Sequence, residues 1–249
     1  MKFVVVGGTG LIGSTVVKQL EALGHVAVAA SPSTGVDTIT GAGLAEAVAG
    51  ADVVVDVTNS PSFEDGPVLQ FFTESTGRQL EAEQLAGVAH HVALSIVGVE
   101  HPSEGGYFRA KAAQEALIRD SGVPYSIVHA TQFFEFIEAI AATATDGGAV
   151  TLPPVQFQPV AAVDVATLIT EVAVEAPING VVDIAGPDRG RFSDIVAQVL
   201  TARGDQRTVV ADPSAPYFGA PVEETTLVPT AGHRVGAVSL QQWLDSTPR

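Results

Sequence analysis

The sequence contains no cysteine, which excludes disulfides and thiol chemistry. Basic residues are scarce: 12 Lys and Arg stand against 28 Asp and Glu, giving a net charge of −16 and a pI near 4.5. That field repels nucleic acid, and no basic stripe overcomes it, so no nucleic-acid partner is expected. An anionic ligand would have to be held by local dipoles and a few specific donors. No apolar run reaches the length of a membrane span, so no membrane partner is expected either. No charged-then-apolar leader precedes the first apolar run, and a cytoplasmic location is the expectation. The six histidines lack metal-ligand spacing, and no metal is expected. No pattern speaks to oligomeric state.

What is present is apolar. Hydrophobic residues make up 46% of 249 and charged residues only 16%, enough for one large domain with a sizeable core. Lys2-Phe3-Val4-Val5-Val6 reads as a buried parallel strand. Glycines follow at Gly7, Gly10 and Gly13. From Ser14 to Leu23 the apolar residues Val16, Val17, Leu20 and Leu23 fall on one helical stripe. Strand, glycine turn, helix is the context that gives a glycine pattern meaning. Gly7 permits the sharp turn, Gly10 lets the backbone approach a pyrophosphate, and Gly13 lets the helix pack close to the strand. Thr9, Leu11 and Ile12 lie within the same turn, at a helix start whose free N–H groups suit phosphate.

Further strands read at 25–30, 36–39, 51–57, 91–97, 125–130 and 181–186. Helical segments fall between them, at 44–49, 68–73, 79–86, 107–119, from after Phe134 through Ala142, up to 174, and 192–202. Asp164 is placed to cap the helix ending near Val174, and Ser193 or Asp194 the one after it. Alternating strands and helices predict an α/β fold, a doubly wound parallel sheet. Residues from about 147 onward, broken by prolines, are expected to cover a cofactor crevice and shape a substrate region within the single domain.

Two stretches bear on a dinucleotide. After the second strand comes Ser31-Pro32-Ser33-Thr34-Gly35, with neither an acid for a ribose 2′-hydroxyl nor a base for a 2′-phosphate. Ser31, Ser33 and Thr34 offer hydroxyl donors, which favours NADP and leaves NAD possible. After the 51–57 strand, Thr58 and Asn59 sit where a switch-point loop faces a ligand.

The glycine stretch 7–13 resembles the G-G-x-G-x-[IV]-G of the extended and atypical short-chain dehydrogenases/reductases, including the NmrA-like branch. A second constellation agrees. Tyr107 and Lys111 stand four apart on a helix face, in a chain with three tyrosines and three lysines. That is similar to the family's Y-x-x-x-K, with Ser95 in the place of the serine on the preceding strand. The resemblance implies a Rossmann-like fold and a catalytic Ser95, Tyr107 and Lys111. Ser95 would orient the substrate, Tyr107 pass the proton, and Lys111 favour the phenolate and bind the nicotinamide ribose. It implies an NAD(P)-dependent oxidoreductase acting on a small carbonyl or alcohol. Phe133, Phe134 and Phe136 could wall a hydrophobic substrate or simply pack in the core. The family's arginine and Pro-Gly near the 125–130 strand are replaced by His129-Ala130-Thr131. A non-catalytic NADP sensor of the NmrA type, acting through a protein partner, is the alternative. The chain is short for a third possibility, a sugar-nucleotide epimerase or dehydratase.

Overall fold

Strand β1 is Lys2–Val6, and its four apolar residues, Phe3 through Val6, are buried. The computed structural model describes residues 1–99 and 105–246; Pro102, in the stretch between the 91–97 strand and Tyr107, lies outside them. The chain continues with α1 (Leu11–Ala22), β2 (Val26–Ala30), α2 (Leu44–Val48), β3 (Val53–Asp56), α3 (Asp65–Ala86), β4 (His90–Ile96), α4 (Gly106–Asp120) and β5 (Tyr125–Ala130). Then come α5 (Ile137–Thr143), β6 (Thr145–Asp146), β7 (Ala149–Leu152), β8 (Gln156–Phe157), α6 (Ala162–Val174), β9 (Gly180–Ala185), β10 (Gly190–Arg191), α7 (Phe192–Arg203), β11 (Thr208–Ala211), β12 (Arg234–Val235) and α8 (Leu240–Ser246).

The main sheet has seven strands in the order β12-β9-β5-β4-β3-β1-β2. It is a parallel, Rossmann-like sheet flanked by helices. From β1 the chain steps to β2 on one side and then to β3 on the other, with Val6 opposite both Ala30 and Asp56. This reversal makes the exits of β1 and β3 the switch point.

Two compact units result, interleaved in sequence. One comprises Met1–Ser95, Gly106–His129 and Val165–Val182. The other comprises the described residues of Ile96–Gly105, Ala130–Asp164 and Asp183–Arg249. The second has its own small sheets, β11-β7-β6 and β10-β8. Phe134 packs on Trp243 there with ring centres 5.5 Å apart, and Phe133 stacks on Phe136 at 5.6 Å. Phe134 is core, whereas Phe136 is exposed.

Three local expectations are corrected. Residues 36–39 form no strand: the Asp37 carboxylate accepts from the Ile39 and Thr40 amides, which gives the backbone a turn instead of a ladder. The two helical segments at 68–73 and 79–86 are one 22-residue helix, because Ser75 and Thr76 between them, like Gln79, are buried. The two expected caps are also absent. Asp164 lies inside α6, where its carboxylate accepts from the Val238 amide. The cap position before α7 is Arg191, which makes no side-chain cap, and Ser193 and Asp194 lie inside the helix.

Candidate functional site

The glycine turn is shaped by close approach. Gly7 has φ +82°, a conformation glycine adopts without strain. A Cβ on it would lie 2.9 Å from the Val57 carbonyl oxygen and 3.1 Å from the Thr58 nitrogen. The turn therefore abuts the exit of β3. A Cβ on Gly13 would lie 2.2 Å from the Gly7 carbonyl oxygen, so only glycine lets α1 start so near β1. The Gly7 and Gly8 amides donate to Ala30 O at 2.9 and 3.3 Å, tying the turn to the end of β2.

At Gly10 the helix begins with no side-chain cap. Thr9, Gly10 and Leu11 are exposed, while Ile12 and Gly13 face inward. The first amides of a helix have no intrahelical acceptor. An open, uncapped helix start above a glycine cradle fits a pyrophosphate, by hydrogen bonding and by the helix dipole.

Beyond β2, Pro32–Thr34 is a 3₁₀ turn starting at Ser31 and closed by Gly35 at φ +87°. Its hydroxyls bond locally. Ser31 Oγ and Ser33 Oγ are 2.9 Å apart, and Thr34 Oγ1 donates within the turn to Ala29 O or Ser31 O, both at 3.0 Å. Ser31 is buried, whereas Ser33 and Thr34 are exposed. Thr58 and Asn59 leave β3 under control of Asp56, whose Oδ1 accepts from the Thr58 amide at 2.9 Å and the Thr58 hydroxyl at 2.6 Å.

The three acid–base candidates share the same unit, but each donates to a different partner. Tyr107 is half-buried, with its ring 5.6 Å from Phe63 and 5.9 Å from Phe72. Its hydroxyl donates to Asn59 Oδ1 at 3.2 Å. Burial pushes the phenol up, so it is protonated at neutral pH. Just before it, a Cβ on Gly106 would lie 2.1 Å from Asp65 Oδ1, so glycine lets the start of α4 lie against the start of α3. Ser95 is buried and donates to Glu115 Oε1 at 2.5 Å. Lys111 is 2% exposed. Its ammonium donates to Leu94 O at 2.8 Å and to Gln114 Oε1, and it lies 4.3 Å from the centre of the Phe72 ring. Burial lowers its pKa to about 8 against the pull of Asp56 and Glu115. Among the described hydrogen bonds, Ser95, Tyr107 and Lys111 do not pair with one another.

The partners form a network that the sequence reading missed. Asp56 Oδ2 accepts from Gln79 at 3.1 Å and Gln114 at 3.0 Å. Glu115 Oε1 also accepts from His129 Nε2 at 2.8 Å, and its Oε2 from Arg119 at 2.7 Å. Burial would raise the Glu115 carboxyl, but His129, Ser95 and Arg119 together hold it below its ordinary value. His91 bonds the buried Glu83 at 2.9 Å; burial alone would lower its pKa, but Glu83 and Asp56 raise it. A signal was available. Asp56 is a carboxylate inside an apolar strand, which needs buried partners, and Gln114 and Glu115 stand three and four residues after Lys111.

Residues 7–175 match the family described as NAD(P)H-binding. The chain belongs to the NAD(P)H-binding family. It is 33% identical over 142 residues to a (4-alkanoyl-5-oxo-2,5-dihydrofuran-3-yl)methyl phosphate reductase of Streptomyces griseus, covering 52% of this chain and 47% of that one. It is 30% identical over 227 residues to the chloroplastic divinyl chlorophyllide a 8-vinyl-reductase of Cucumis sativus, covering 74% of this chain and 52% of that one. The chain thus spans about half the length of these curated relatives. In fold it is similar to a dTDP-4-dehydrorhamnose reductase of Clostridium acetobutylicum, with a TM-score of 0.73 at 15% identity over 98% of this chain and 99% of that one. An NADPH-dependent quinone oxidoreductase of Escherichia coli gives 0.63 at 18% identity over 84% and 78%. This NAD(P)H-binding protein carries its glycine turn at the end of the first strand of a parallel sheet. No helix among the described residues is long and apolar enough to cross a membrane.

Proposed function

We propose that this protein is an NADP(H)-dependent reductase of a small, hydrophobic carbonyl compound. The observation that carries the reading is Tyr107: a protonated phenol between Phe63 and Phe72, held by Asn59 on the loop that follows Thr58. Thr58 itself borders Gly7. The bound dinucleotide would supply the hydride. Tyr107 would give its proton to the substrate oxygen, so that a carbonyl becomes an alcohol, and water would return the proton. The aromatic rings favour an apolar substrate and exclude water from it. Ser95 would orient the oxygen, and Lys111 would support the site. The hydroxyls of Ser33 and Thr34 would face the 2′-phosphate.

A second reading has its own support. Ser95 and Lys111 already spend their donors inside the protein, as suits a dinucleotide sensor of the NmrA type that binds without turnover. Titration with NADPH and NADH, followed by NADPH oxidation across quinones, aldehydes and ketones, separates the two. The reductase reading expects turnover that Tyr107→Phe abolishes. Tight binding with no turnover on any acceptor supports the sensor, and full turnover in Tyr107→Phe overturns the role of the phenol.

A further inference from the structure

Lys111 has three recipients around its ammonium: the Leu94 carbonyl, the Gln114 side-chain carbonyl and the face of Phe72. Two of the ammonium's three protons go to those carbonyls, the ring lies against it, and Lys111 is 2% exposed, so little of the group is open to a ribose hydroxyl. Gln114 then passes the interaction on. Its oxygen accepts from Lys111, and its amide donates to Asp56 Oδ2 at 3.0 Å. Asp56 in turn fixes Thr58 through two bonds to its other oxygen. Thr58 borders the Gly7 turn, and the next residue, Asn59, receives the Tyr107 hydroxyl. Lys111, Gln114 and Asp56 are all buried, so each bond is protected from water.

We propose that Lys111 is a positioning residue for the dinucleotide site, acting through Gln114 and Asp56 on the Thr58–Asn59 loop rather than by touching the ligand. The ammonium fixes which way the Gln114 amide points. Only with its oxygen toward Lys111 does Gln114 present N–H to the Asp56 carboxylate. Asp56, so oriented, holds the loop against the glycine turn and keeps Asn59 under Tyr107. The effect on the ligand rests on the proposed function; the effect on the loop does not.

The test is the exchange rate of the Thr58 amide in the unliganded protein, read by NMR, together with NADPH affinity by fluorescence. Gln114→Glu keeps the size of the side chain and its bond to Lys111 but turns a carboxylate oxygen toward Asp56. Thr58 exchange and the NADPH Kd should both rise about tenfold, the loss of one buried charge-assisted bond. Adding Asp56→Asn reverses the donor and acceptor across the pair. The amide introduced at position 56 can then donate to the carboxylate introduced at position 114 and to Gln79, whose Oε1 has no hydrogen-bond partner among the described residues. Its own oxygen still accepts from Thr58. That double variant should return Thr58 exchange to within about threefold of wild type. Lys111→Met should match Gln114→Met, which breaks the same relay without adding a charge, and combining those two should cost no more than the larger single change. Unchanged Thr58 exchange in Gln114→Glu, or no rescue by Asp56→Asn, overturns the proposal. A Lys111→Met loss of affinity that adds fully to that of Gln114→Met would place Lys111 on the ligand itself and also overturn it. A wild-type protein that binds neither NADPH nor NADH would instead overturn the proposed function and the ligand half of this inference, while the exchange result still decides the loop half.

Discussion

Replacing Gly13 by alanine sets two effects of known size against each other. Alanine in a helix is favoured over glycine by about 1 kcal/mol. Against this, the added Cβ would lie 2.2 Å from the Gly7 carbonyl oxygen, 2.7 Å from Gly8 Cα and 2.8 Å from the Gly7 carbonyl carbon. Ordinary van der Waals contact begins near 3.4 Å, so the turn or the start of α1 must move by roughly 1 Å. All three obstacles are backbone, and none can rotate away. Overpacking of this kind costs about 1–3 kcal/mol. The net expectation is a loss of about 1 kcal/mol, or roughly 3 °C in Tm for a chain of this size. The larger effect falls on the ligand. Moving the turn misaims its amides, and losing one or two charge-assisted bonds raises the NADPH Kd by about tenfold to a hundredfold. Thermal melts followed by far-UV circular dichroism, with a parallel fluorescence titration, measure both. A Gly13→Ala protein that melts higher than wild type and binds NADPH unchanged would refute the argument, since propensity alone would then have acted.

Glu115→Ala leaves Ser95, His129 and Arg119 without their common acceptor and should lower stability by about 3–5 kcal/mol in urea unfolding, with Glu115→Gln losing clearly less. His90 is buried against the Ser126 hydroxyl, and burial, with the neighbouring His91, lowers its pKa to about 4. The unfolded chain therefore takes up a proton from pH 6.5 downward that the folded one refuses. Its contribution is fully present above pH 6.5 and is lost as pH falls toward 4. Between pH 7 and pH 5 wild type should lose about 2 kcal/mol more than His90→Phe, and equal losses would show that His90 titrates normally. The raised pKa of His91 acts with the opposite sign, its stabilisation fading as pH rises above 6.5, and is common to both proteins. In binding assays NADPH should outcompete NADH, and Ser33→Ala should narrow that preference by about threefold; a preference for NADH would overturn the phosphate reading of this turn.

How much of this was legible in the sequence follows from the range of the forces involved. At Gly13 the glycine turn is dictated by sterics between near neighbours, Gly7 and Gly8, whereas Gly7 itself meets the distant Val57. Three glycines after an apolar strand therefore announced it. The alternation of strands and helices was likewise written in local periodicity. Where a polar side chain chose between local and distant partners, the reading failed in both directions. Asp37 bonded its own turn and removed an expected strand. Ser75, Thr76 and Gln79 are polar, yet they sit inside one continuous helix because Thr38 and Asp56 offer partners to Ser75 and Gln79.

The sequence by itself determined the parallel sheet, the glycine turn after its first strand and the placing of Tyr107 and Lys111 on one helix. Spacing says which residues share a face, but not where their polar atoms spend their protons. That was decided when β3, β4, α3 and α4 came together, from positions as far apart as Asp56 and Gln114. A buried ammonium takes whatever acceptors surround it, because in a dry interior an unmade hydrogen bond costs more than almost any rearrangement of a side chain. Tertiary packing thus turned Lys111 toward Leu94 and Gln114, and gave Ser95 to Glu115.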